Sequence, residues 1–497
     1  MADPVTTPAA AAGTDLPPDD KPWPALLAMV IGFFMILLDN TIVSVATPDI
    51  ITELRTDYTN GIWVTSAYLL AYAVPLLITG RLGDRFGPKN VYLLGLTIFT
   101  LASLWCGLTD SIEGLIAARV VQGIGASLLT PQTMAVITRT FPPAKRGSAM
   151  ALWGATAGVA TLVGPILGGL LTDALGWEWI FFINVPVGIV GFVLAVRLVP
   201  TLTTHSHSFD WLGVALSAAG MFLLVFGIQE GERYDWDARI WGMIAGGVLV
   251  LALFIAWQSR IRREPLVPLG LFRDRNFAIG NAGIALVSMA ITAMSLPFMF
   301  FAQGARGYSP TEAALFMTPM AVVLMVLSPF VGQLVDRAHP RTITLVGFGT
   351  AAVAMAWSAA LIDPDTPAWQ LLLPMALFGV SNACLWAPLS ATATRNLPLS
   401  SAGAGAGVYN TTRQVAAALG SAAVAALIGS RLAANGLAGD ADSFQQAGGG
   451  SMPHQVAERF STAMSEAYWL PVAAFVVGVV LVLFFEKPTH EGHGARR

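Results

Sequence analysis

Ionisable side chains that rarely enter a membrane lie inside long apolar segments of this chain. Asp39 lies in the segment FFMILLDNTIVSV, next to Asn40, and Arg119 and Arg413 lie in two other apolar segments. Such a side chain is costly there unless it faces a partner or a cavity, which makes it a functional candidate by default. A carboxylate in this setting can carry a proton, and a guanidinium can pair with it or bind a polar group of a ligand.

The composition indicates a membrane protein. Of 497 residues, 55% are hydrophobic and only 11% are charged, which is unlike a soluble domain. Runs of about 20 apolar residues are long enough to cross a bilayer as helices, whereas barrel strands would be shorter and alternating. Fourteen such runs lie near 25–47, 61–82, 90–108, 113–138, 147–172, 179–199, 211–230, 240–259, 277–302, 312–335, 342–361, 369–391, 402–429 and 467–485. We therefore expect an all-α integral membrane protein with fourteen transmembrane helices.

The distribution of basic residues predicts the orientation. With the N-terminus inside, 19 of the 27 Lys and Arg residues fall on the cytoplasmic side and 6 outside, as the positive-inside rule requires. An even number of spans then puts both termini in the cytoplasm. The first span lacks a small-residue cleavage site and is expected to be retained. Cys106 and Cys384 both fall within spans, which predicts neither a disulfide nor a metal cluster.

An internal repeat groups the spans into two halves. GRLGDRFGPK at 80–89 and GQLVDRAHPR at 332–341 are identical at five positions and both end in a basic residue, with an offset of 252 residues, and both follow a span of the same direction. Repeats of one orientation predict two bundles related by an axis along the membrane normal.

The repeat and the spans together predict the domain organisation. We expect, in order, a disordered cytoplasmic tail, a six-helix bundle, two linker helices with a basic cytoplasmic connector, a second six-helix bundle with an outward-facing loop at 433–466, and a cytoplasmic tail, at 1–22, 23–200, 201–276, 277–486 and 487–497. The connector, RIRREPLVPLGLFRDRNF, is expected to serve topology and packing, or to lie on the membrane surface.

Six motifs occur along the chain in a recognisable order: LLDNTIVSVATP in the first span, GRLGDRFGPK after the second, RVVQGIGAS (119–127) in the fourth, GATAGVATLVGPILGG (154–169) in the fifth, WEWIFFINVP (177–186) and YNTTRQVAAALG (409–420). Over essentially its full length the chain resembles the fourteen-helix drug/proton antiporter branch of the major facilitator superfamily. The resemblance implies a major facilitator fold and a secondary transporter that exchanges protons for small molecules by alternating access.

Asp39 and Arg119 are the predicted proton-coupling pair. At 1.5 Å per residue, Asp39 lies roughly 21 Å along the first helix and Arg119 roughly 9 Å into the fourth from the opposite face, which is one level in a bilayer of about 30 Å. All six histidines fall outside the spans. The hypothesis is that Asp39 alternates between protonated and ionised forms. The alternative is a permanent ion pair that only locks two helices together.

A second set of residues is predicted to contact the substrate. Aromatic and Met side chains adapt to varied apolar molecules and attract cations, and amides offer hydrogen bonds. The candidates are Phe33, Asn40, Trp63, Tyr68, Tyr72, Gln122, Met294, Phe298, Trp386, Tyr409, Asn410 and Arg413. The alternatives are that the large side chains face lipid or other helices, and that Arg413 bonds to backbone carbonyls across helices.

Two groups of residues are predicted to serve the conformational change. Small-xxx-small pairs in the fifth span permit close helix packing, and a proline there favours a kink. In the repeated loop, glycines permit turns, an aspartate can accept from amides at the start of the thirteenth span near Ser400, and basic residues hold the loop inside. These residues are Gly154, Gly158, Gly164, Pro165 and Gly168, then Gly80, Gly83, Asp84, Arg85, Gly87 and Lys89, with Asp336 and Arg337 in the second copy. Generic packing and a purely topogenic loop are the alternatives.

The sequence therefore predicts a monomeric proton-coupled antiporter of a bacterial cytoplasmic membrane that exports amphipathic or lipophilic small molecules. Exporters of an endogenous lipid or metabolite, an uptake symporter and a transport-inactive sensor remain alternatives. A GxxxxGK[ST] loop is absent from the sequence, so transport must draw on an ion gradient. No enzyme activity, cofactor, metal or nucleic-acid partner is expected; the partners are the substrate, protons and the bilayer.

Overall fold

The computed structural model describes residues 22–486 except 57, 143–144, 205–209, 232–233, 235, 262–264 and 438–451. The predicted tails at 1–22 and 487–497 therefore lie outside the described residues, apart from Pro22. The α-helices of the described ranges are α1 Pro22–Glu53, α2 Tyr58–Ala73, α3 Leu76–Phe86, α4 Pro88–Leu108, α5 Ile112–Thr140, α6 Arg146–Leu175, α7 Trp179–Phe182, α8 Asn184–Leu198, α9 Trp211–Gln229, α10 Ala238–Arg260, α11 Arg275–Phe300, α12 Pro310–Leu315, α13 Thr318–Arg337, α14 Pro340–Leu361, α15 Ala368–Thr394, α16 Ala402–Ala434, α17 His454–Ala467 and α18 Trp469–Val482.

The helices agree with the predicted all-α membrane architecture. In the described ranges, twelve helical stretches are long and apolar enough to cross a bilayer, and a bent pair, Trp63–Ala73 with Leu76–Phe86, makes a thirteenth. The 30-residue helix α6 covers the predicted span near 147–172. The bend of 47° between α2 and α3 falls at Pro75, which has no N–H to donate to the preceding turn.

Short capping signals fix several helix ends. Gly87 has φ +88, a backbone conformation that suits glycine, and Pro88 starts α4 directly after it. Asp237 and Asp274 accept hydrogen bonds from first-turn amides of α10 and α11. These local signals set the loop lengths and therefore the neighbours of each helix.

The structure corrects one predicted boundary. The outward-facing loop was expected at 433–466, but α16 continues to Ala434 and α17 begins at His454. The last span is thus a longer helical stretch with a break at Tyr468. The sequence prediction missed α17 because HQVAERFSTAMSEA mixes polar and apolar residues and is not an uninterrupted apolar run. Its apolar face is buried through Phe460, Ala463 and Met464.

The two inserted helices, α9 and α10, lie over the seam between the first and second halves. Met221 and Val225 of α9 pack with Leu70 of α2 and Val415 of α16. Farther along the seam, Arg81 of α3 donates two hydrogen bonds to the carbonyl oxygen of Pro265 in the connector, at 3.2 and 2.7 Å. The inserted unit and its connector therefore contact both halves.

The connector is held to the inserted helices by a small hydrogen-bond network. Asp210 caps α9 and accepts from Trp257 Nε1 at 2.9 Å and from Gln258 Nε2 at 2.6 Å. The other end of the Gln258 amide accepts from the backbone N–H of Val267 at 3.1 Å. The connector is thus an ordered packing element where it is described, as one of the two sequence expectations had it.

One end of the molecule is closed by polar contacts between the halves. The two Asp84 carboxylate oxygens accept from the backbone N–H groups of Gly403 and Ala404, at 2.8 and 2.9 Å, at the start of α16. In the second half, Asp336 accepts from the N–H groups of Gly147 and Ser148, at 2.8 and 3.2 Å, at the start of α6. Each aspartate meets the positive end of a helix dipole in the opposite half. The two aspartates are 252 residues apart, as the repeat requires.

The same end is tightened by Arg146. Its guanidinium donates to the carbonyl oxygens of Thr394 and Arg395 at the end of α15, at 3.2 and 3.1 Å, and to Phe141 in its own half. Nearby, α3 and α16 cross so closely that a Cβ added at Gly80 would overlap the carbonyl oxygen of Gly403. Opening this end requires these contacts to separate.

A bulky side chain at Gly403 should prevent this close approach. A Cβ there would overlap the Gly80 carbonyl and lie 2.7 Å from Oδ1 of Asp84, so we expect Gly403→Val to destabilise the closed form by about 1–3 kcal/mol. Spin labels at Lys145 and Arg337, which are both exposed, should then report a longer distance.

Gly429→Val, on the same helix, is the matched control because nothing lies within 4 Å of its Cβ position. Identical label distances in the two variants would contradict the assignment of this crossing as part of the closed end.

Candidate functional site: a buried ion pair beside a cavity

Asp39 of α1 and Arg119 of α5 form a fully buried ion pair. Arg119 Nη1 lies 2.5 Å from Asp39 Oδ2, and both side chains have 0% exposure. Arg119 Nε also donates to the carbonyl oxygen of Val64 in α2 at 2.9 Å. The pair therefore connects three helices of the first half.

Neutral polar side chains add hydrogen bonds to the pair. Gln122, one turn after Arg119, donates to Asp39 Oδ1 at 2.9 Å and accepts from Arg119 Nη1 at 2.7 Å. Asn184 of α8 donates to the same Oδ1 at 3.4 Å. Ser103 of α4 accepts from Gln122 at 3.3 Å and from Asn184 at 3.0 Å. These bonds offset much of the cost of burying the two charges, although Arg119 Nη2 has no hydrogen-bond partner among the described residues.

Tyr68 separates this pair from a cavity. The Arg119 guanidinium lies 4.1 Å from the centroid of the Tyr68 ring, a cation–π distance. The Tyr68 ring in turn stacks on Tyr72, with centroids 6.2 Å apart, and both tyrosines line the cavity. One aromatic layer thus lies between the ion pair and the cavity.

The cavity lies between the halves and has a volume of about 570 Å³, within the range of drug-sized sites. It is mixed in character, with aliphatic walls and scattered neutral polar groups. Its lining comprises Ile36, Leu37, Asn40, Ser66, Tyr68, Leu69, Tyr72, Ala73, Val225, Ile228, Gln229, Trp236, Ser288, Ile291, Thr292, Trp386, Arg413, Gln414, Ala417, Ala418, Ser421, Ala422 and Ala425. Both halves and the inserted helix α9 contribute.

Arg413 is the charged member of this lining set. Its Nη2 donates to the Tyr72 hydroxyl at 3.2 Å, and Tyr72 donates to Thr130 at 3.1 Å. The guanidinium lies 6.0 Å from the Trp386 ring centroid. Its Nε is buried without a hydrogen-bond partner among the described residues. Arg413 therefore joins the second half to Tyr72 of the first while part of its bonding capacity stays unused.

Several predicted substrate contacts lie elsewhere in this conformation. Phe33 stacks on Trp153 at 4.5 Å, and Trp63 lies 5.9 Å from Phe226. Asn410 donates to Ala406 within its own helix. Met294, Phe298 and Tyr409 are buried in a hydrophobic cluster that contains residues of both halves, and Gln122 belongs to the ion-pair network. Of the predicted set, the structure places Asn40, Tyr68, Tyr72, Trp386 and Arg413 on the cavity.

The glycines of α6 face two different neighbours rather than one interface. Cβ positions at Gly154 and Gly158 point towards Trp386 and Leu324 of the second half, at 3.5 and 2.9 Å. Those at Gly164 and Gly168 meet Thr41 and Ile42 of α1, in the same half. Only the first pair lies between the halves. Pro165 lies within α6, and its side chain is not among those described.

The remaining residues of the repeated loop make separate contacts. A Cβ at Gly83 would overlap the Gln132 amide. Lys89 donates to the carbonyl oxygen of Val196 at 2.8 Å near the end of α8, where a cation is favourable. Arg85 lies over the Phe86 ring at 5.2 Å, and Arg337 is exposed.

Sequence reasoning missed Ser103 and Asn184 in the network and Gln229 and Trp236 in the cavity wall. Asn184 lies in the quoted segment WEWIFFINVP, so a polar residue among apolar ones was a usable signal. Trp236 has φ +49, an uncommon backbone conformation for a bulky residue, and no sequence pattern indicates it. Among the described residues, no group of three or more His, Cys, Asp or Glu side chains could hold a metal ion.

The fold and this site define a multi-pass membrane transporter with a central cavity. Residues 29–421 match the family model described as Major Facilitator Superfamily, and the chain belongs to that family.

Named relatives and a solved structure are similar to it. An uncharacterized MFS-type transporter of Mycobacterium tuberculosis is 52% identical over 93% of this chain and 81% of its own length. The tetracenomycin C resistance and export protein of Streptomyces glaucescens is 33% identical over 83% and 77%, and the multidrug export protein EmrB of Escherichia coli K12 is 29% identical over 94% and 96%. The proton:xylose symporter XylE has a similar fold, with a TM-score of 0.64 at 14% identity over 93% and 95%.

Removal of the Ser103 hydroxyl should loosen the network around Asp39. Ser103→Ala removes one of the two acceptors of the Gln122 and Asn184 side-chain amides, which then donate only to Asp39, so we expect a loss of about 1–2 kcal/mol in stability. Thermal unfolding in detergent measures this. Ser430→Ala is the control because its exposed hydroxyl bonds only within its own helix. Equal stability of both variants would contradict the role of Ser103.

Gln229 should influence which molecules the cavity accepts. Gln229→Leu removes hydrogen-bonding capacity from the cavity wall contributed by α9, so we expect a shift of roughly three- to tenfold in the KM of polar substrates. Transport assays over a panel of amphipathic compounds that differ in their polar groups measure the shift. Ala219→Leu places the same side chain on an exposed face of α9 and should change nothing. An unaltered KM spectrum in Gln229→Leu would mean that α9 does not shape selectivity.

Proposed function

We propose that the protein is a proton-coupled antiporter that exports amphipathic or lipophilic small molecules by alternating access. The observation that carries the proposal is the Asp39–Arg119 pair, fully buried and one aromatic layer from the cavity. The names of the relatives support export, since one exports tetracenomycin C and another is a multidrug export protein.

The orientation and location belong to the same proposal. The excess of Lys and Arg on one side favours both termini in the cytoplasm, and the bacterial relatives favour a bacterial cytoplasmic membrane. The closed end, which contains Asp84, Asp336 and Arg146, is then cytoplasmic. The cavity extends towards Gln229 and Trp236 at the opposite, outer end of α9. In this conformation the protein is closed to the cytoplasm. The proposed functional unit is a monomer.

Asp39 has the surroundings of a proton carrier. Ionised, it accepts hydrogen bonds from Arg119, Gln122 and Asn184. Protonation removes the charge that Arg119 needs and leaves a buried cation without its counterion, a costly state that favours rearrangement. Arg119 contacts Val64 of α2 and the Tyr68 ring, so its movement reaches the cavity wall directly.

Substrate and proton can influence each other through the two tyrosines. Tyr68 covers Arg119, and Tyr72 bonds to Arg413. A molecule bound in the cavity contacts both rings and shifts the position of Arg119 relative to Asp39. Proton binding and substrate binding then favour different arrangements, which is the reciprocity that antiport requires.

When the protein opens to the cytoplasm, water replaces the hydrogen bonds between the aspartates and the helix N-termini. Asp84 and Asp336 each hold a helix N-terminus of the opposite half, and their release lets the halves rotate about the central cavity. The glycines Gly154 and Gly158 lie where α6 meets the second half and permit that motion.

Asp39→Asn should abolish coupling. In liposomes with an internal pH dye and an imposed inward proton gradient, we expect substrates to dissipate the gradient with the wild-type protein and not with Asp39→Asn. The variant leaves Arg119 unpaired at a cost of about 3–5 kcal/mol, so correct folding is checked by size-exclusion chromatography and by substrate binding. Glu458→Gln, a neutralised exposed carboxylate, is the control and should behave as wild type. Gradient-driven uphill transport by folded Asp39→Asn would refute the proposal.

A further inference from the structure

Resting on the proposed function, we propose that the cavity selects amphipathic substrates that carry an anionic or strongly accepting group, such as a carboxylate, sulfonate or phenolate, and that this group binds Arg413. The structure supplies a receptor for such a group, and the described lining residues include no carboxylate for a cation.

The described part of the cavity wall carries a positive charge and no negative charge. Arg413 is the charged side chain among the described lining residues, and the other polar ones are neutral: Asn40, Ser66, Tyr68, Tyr72, Gln229, Ser288, Thr292, Gln414 and Ser421. A guanidinium without a carboxylate in a partly apolar cavity attracts an oxyanion strongly, because the bond replaces lost hydration.

Asp39, the carboxylate to which we assign proton coupling, is not available to a cationic ligand. Its side chain has 0% exposure, and Arg119, Gln122 and Asn184 already donate to its oxygens. The Tyr68 ring lies between Arg119 and the cavity. A cationic ligand would therefore meet aromatic faces and Arg413, which repels it.

Arg413 is held in position but not saturated. Tyr72 accepts from its Nη2 at 3.2 Å, the Trp386 ring lies 6.0 Å away, and Nε has no partner among the described residues. A bidentate oxyanion needs two adjacent N–H groups of the guanidinium, and a bound group can also compete with the Tyr72 hydroxyl. Ligand binding thus acts on Tyr72, which stacks on the tyrosine that covers Arg119.

The walls around Arg413 suit an apolar body. Ile36 and Leu37 of α1, Val225 and Ile228 of α9, and a run of alanines on α16 face the cavity. The expected ligand therefore has one accepting group and an aromatic or aliphatic body that these surfaces enclose.

The charge of such a ligand also affects the driving force. Outward movement of one anion and inward movement of one proton both bring positive charge into the cell, so an inside-negative potential accelerates the exchange.

The test compares two fluorescent probes with the same ring system. Anilinonaphthalene sulfonate carries a permanent negative charge, and phenylnaphthylamine lacks the sulfonate and is neutral; ethidium serves as the cation. Binding is measured by equilibrium dialysis against the full-length protein in lipid nanodiscs, with empty nanodiscs subtracted. We expect the wild-type protein to bind the sulfonate about tenfold more tightly than the neutral probe.

Arg413→Gln should remove this preference, and Arg413→Lys should keep part of it. Arg431→Gln, the same change on the same helix at an exposed position, should leave the preference intact. Equal affinity of the wild-type protein for the two naphthalene probes, tighter binding of ethidium, or an unchanged preference in Arg413→Gln would each overturn the inference.

The two proposals fail separately. Proton release driven by cations but not by the sulfonate would contradict the substrate class while supporting antiport. An Arg413-dependent preference for the sulfonate without any substrate-dependent proton movement would support the substrate class and contradict antiport.

Discussion

The ion pair of Asp39 and Arg119 is the interaction on which the architecture of the first half depends. Two opposite charges in a bilayer interior lose their hydration, and their mutual attraction offsets this cost better when neighbouring groups hydrogen-bond to them. Here α1, α2, α4, α5 and α8 all contribute a group to that network. The helices are therefore positioned by a polar requirement as well as by apolar packing.

The cavity follows from the same constraint. The cation of the pair is covered by Tyr68, whose other face belongs to the cavity wall. The hydroxyl of the neighbouring Tyr72 accepts a hydrogen bond from Arg413 of the second half. Charge in the first half is thus connected to the substrate region through two aromatic rings. The closed end uses a different device, in which carboxylates hold helix N-termini across the seam, and the inserted helices cover the flank between α2 and α16.

Much of the fold could be predicted from the sequence because a bilayer imposes a strong rule on apolar length. The helical rise per residue placed Asp39 and Arg119 at the same depth in the membrane. The preference of a carboxylate for the free amides of a helix N-terminus identified the start of α16 as the partner of Asp84. Phe33 lies in the same segment as Asp39, but the sequence gives no indication that its ring stacks on Trp153 in this conformation. Ser103 and the wall formed by Gln229 and Trp236 depend on which helices are neighbours, and apolar runs do not encode this.

The central claim is that Asp39 changes its protonation state during transport, and infrared difference spectroscopy of the carboxyl stretch tests it most directly. We predict that acidification of the wild-type protein produces a protonated-carboxyl band that substrate addition removes, and that Asp39→Asn lacks this band while other carboxyl bands remain. A wild-type spectrum without any band that depends on Asp39, recorded across the pH range in which transport occurs, would contradict the account and leave the pair as a permanent structural link.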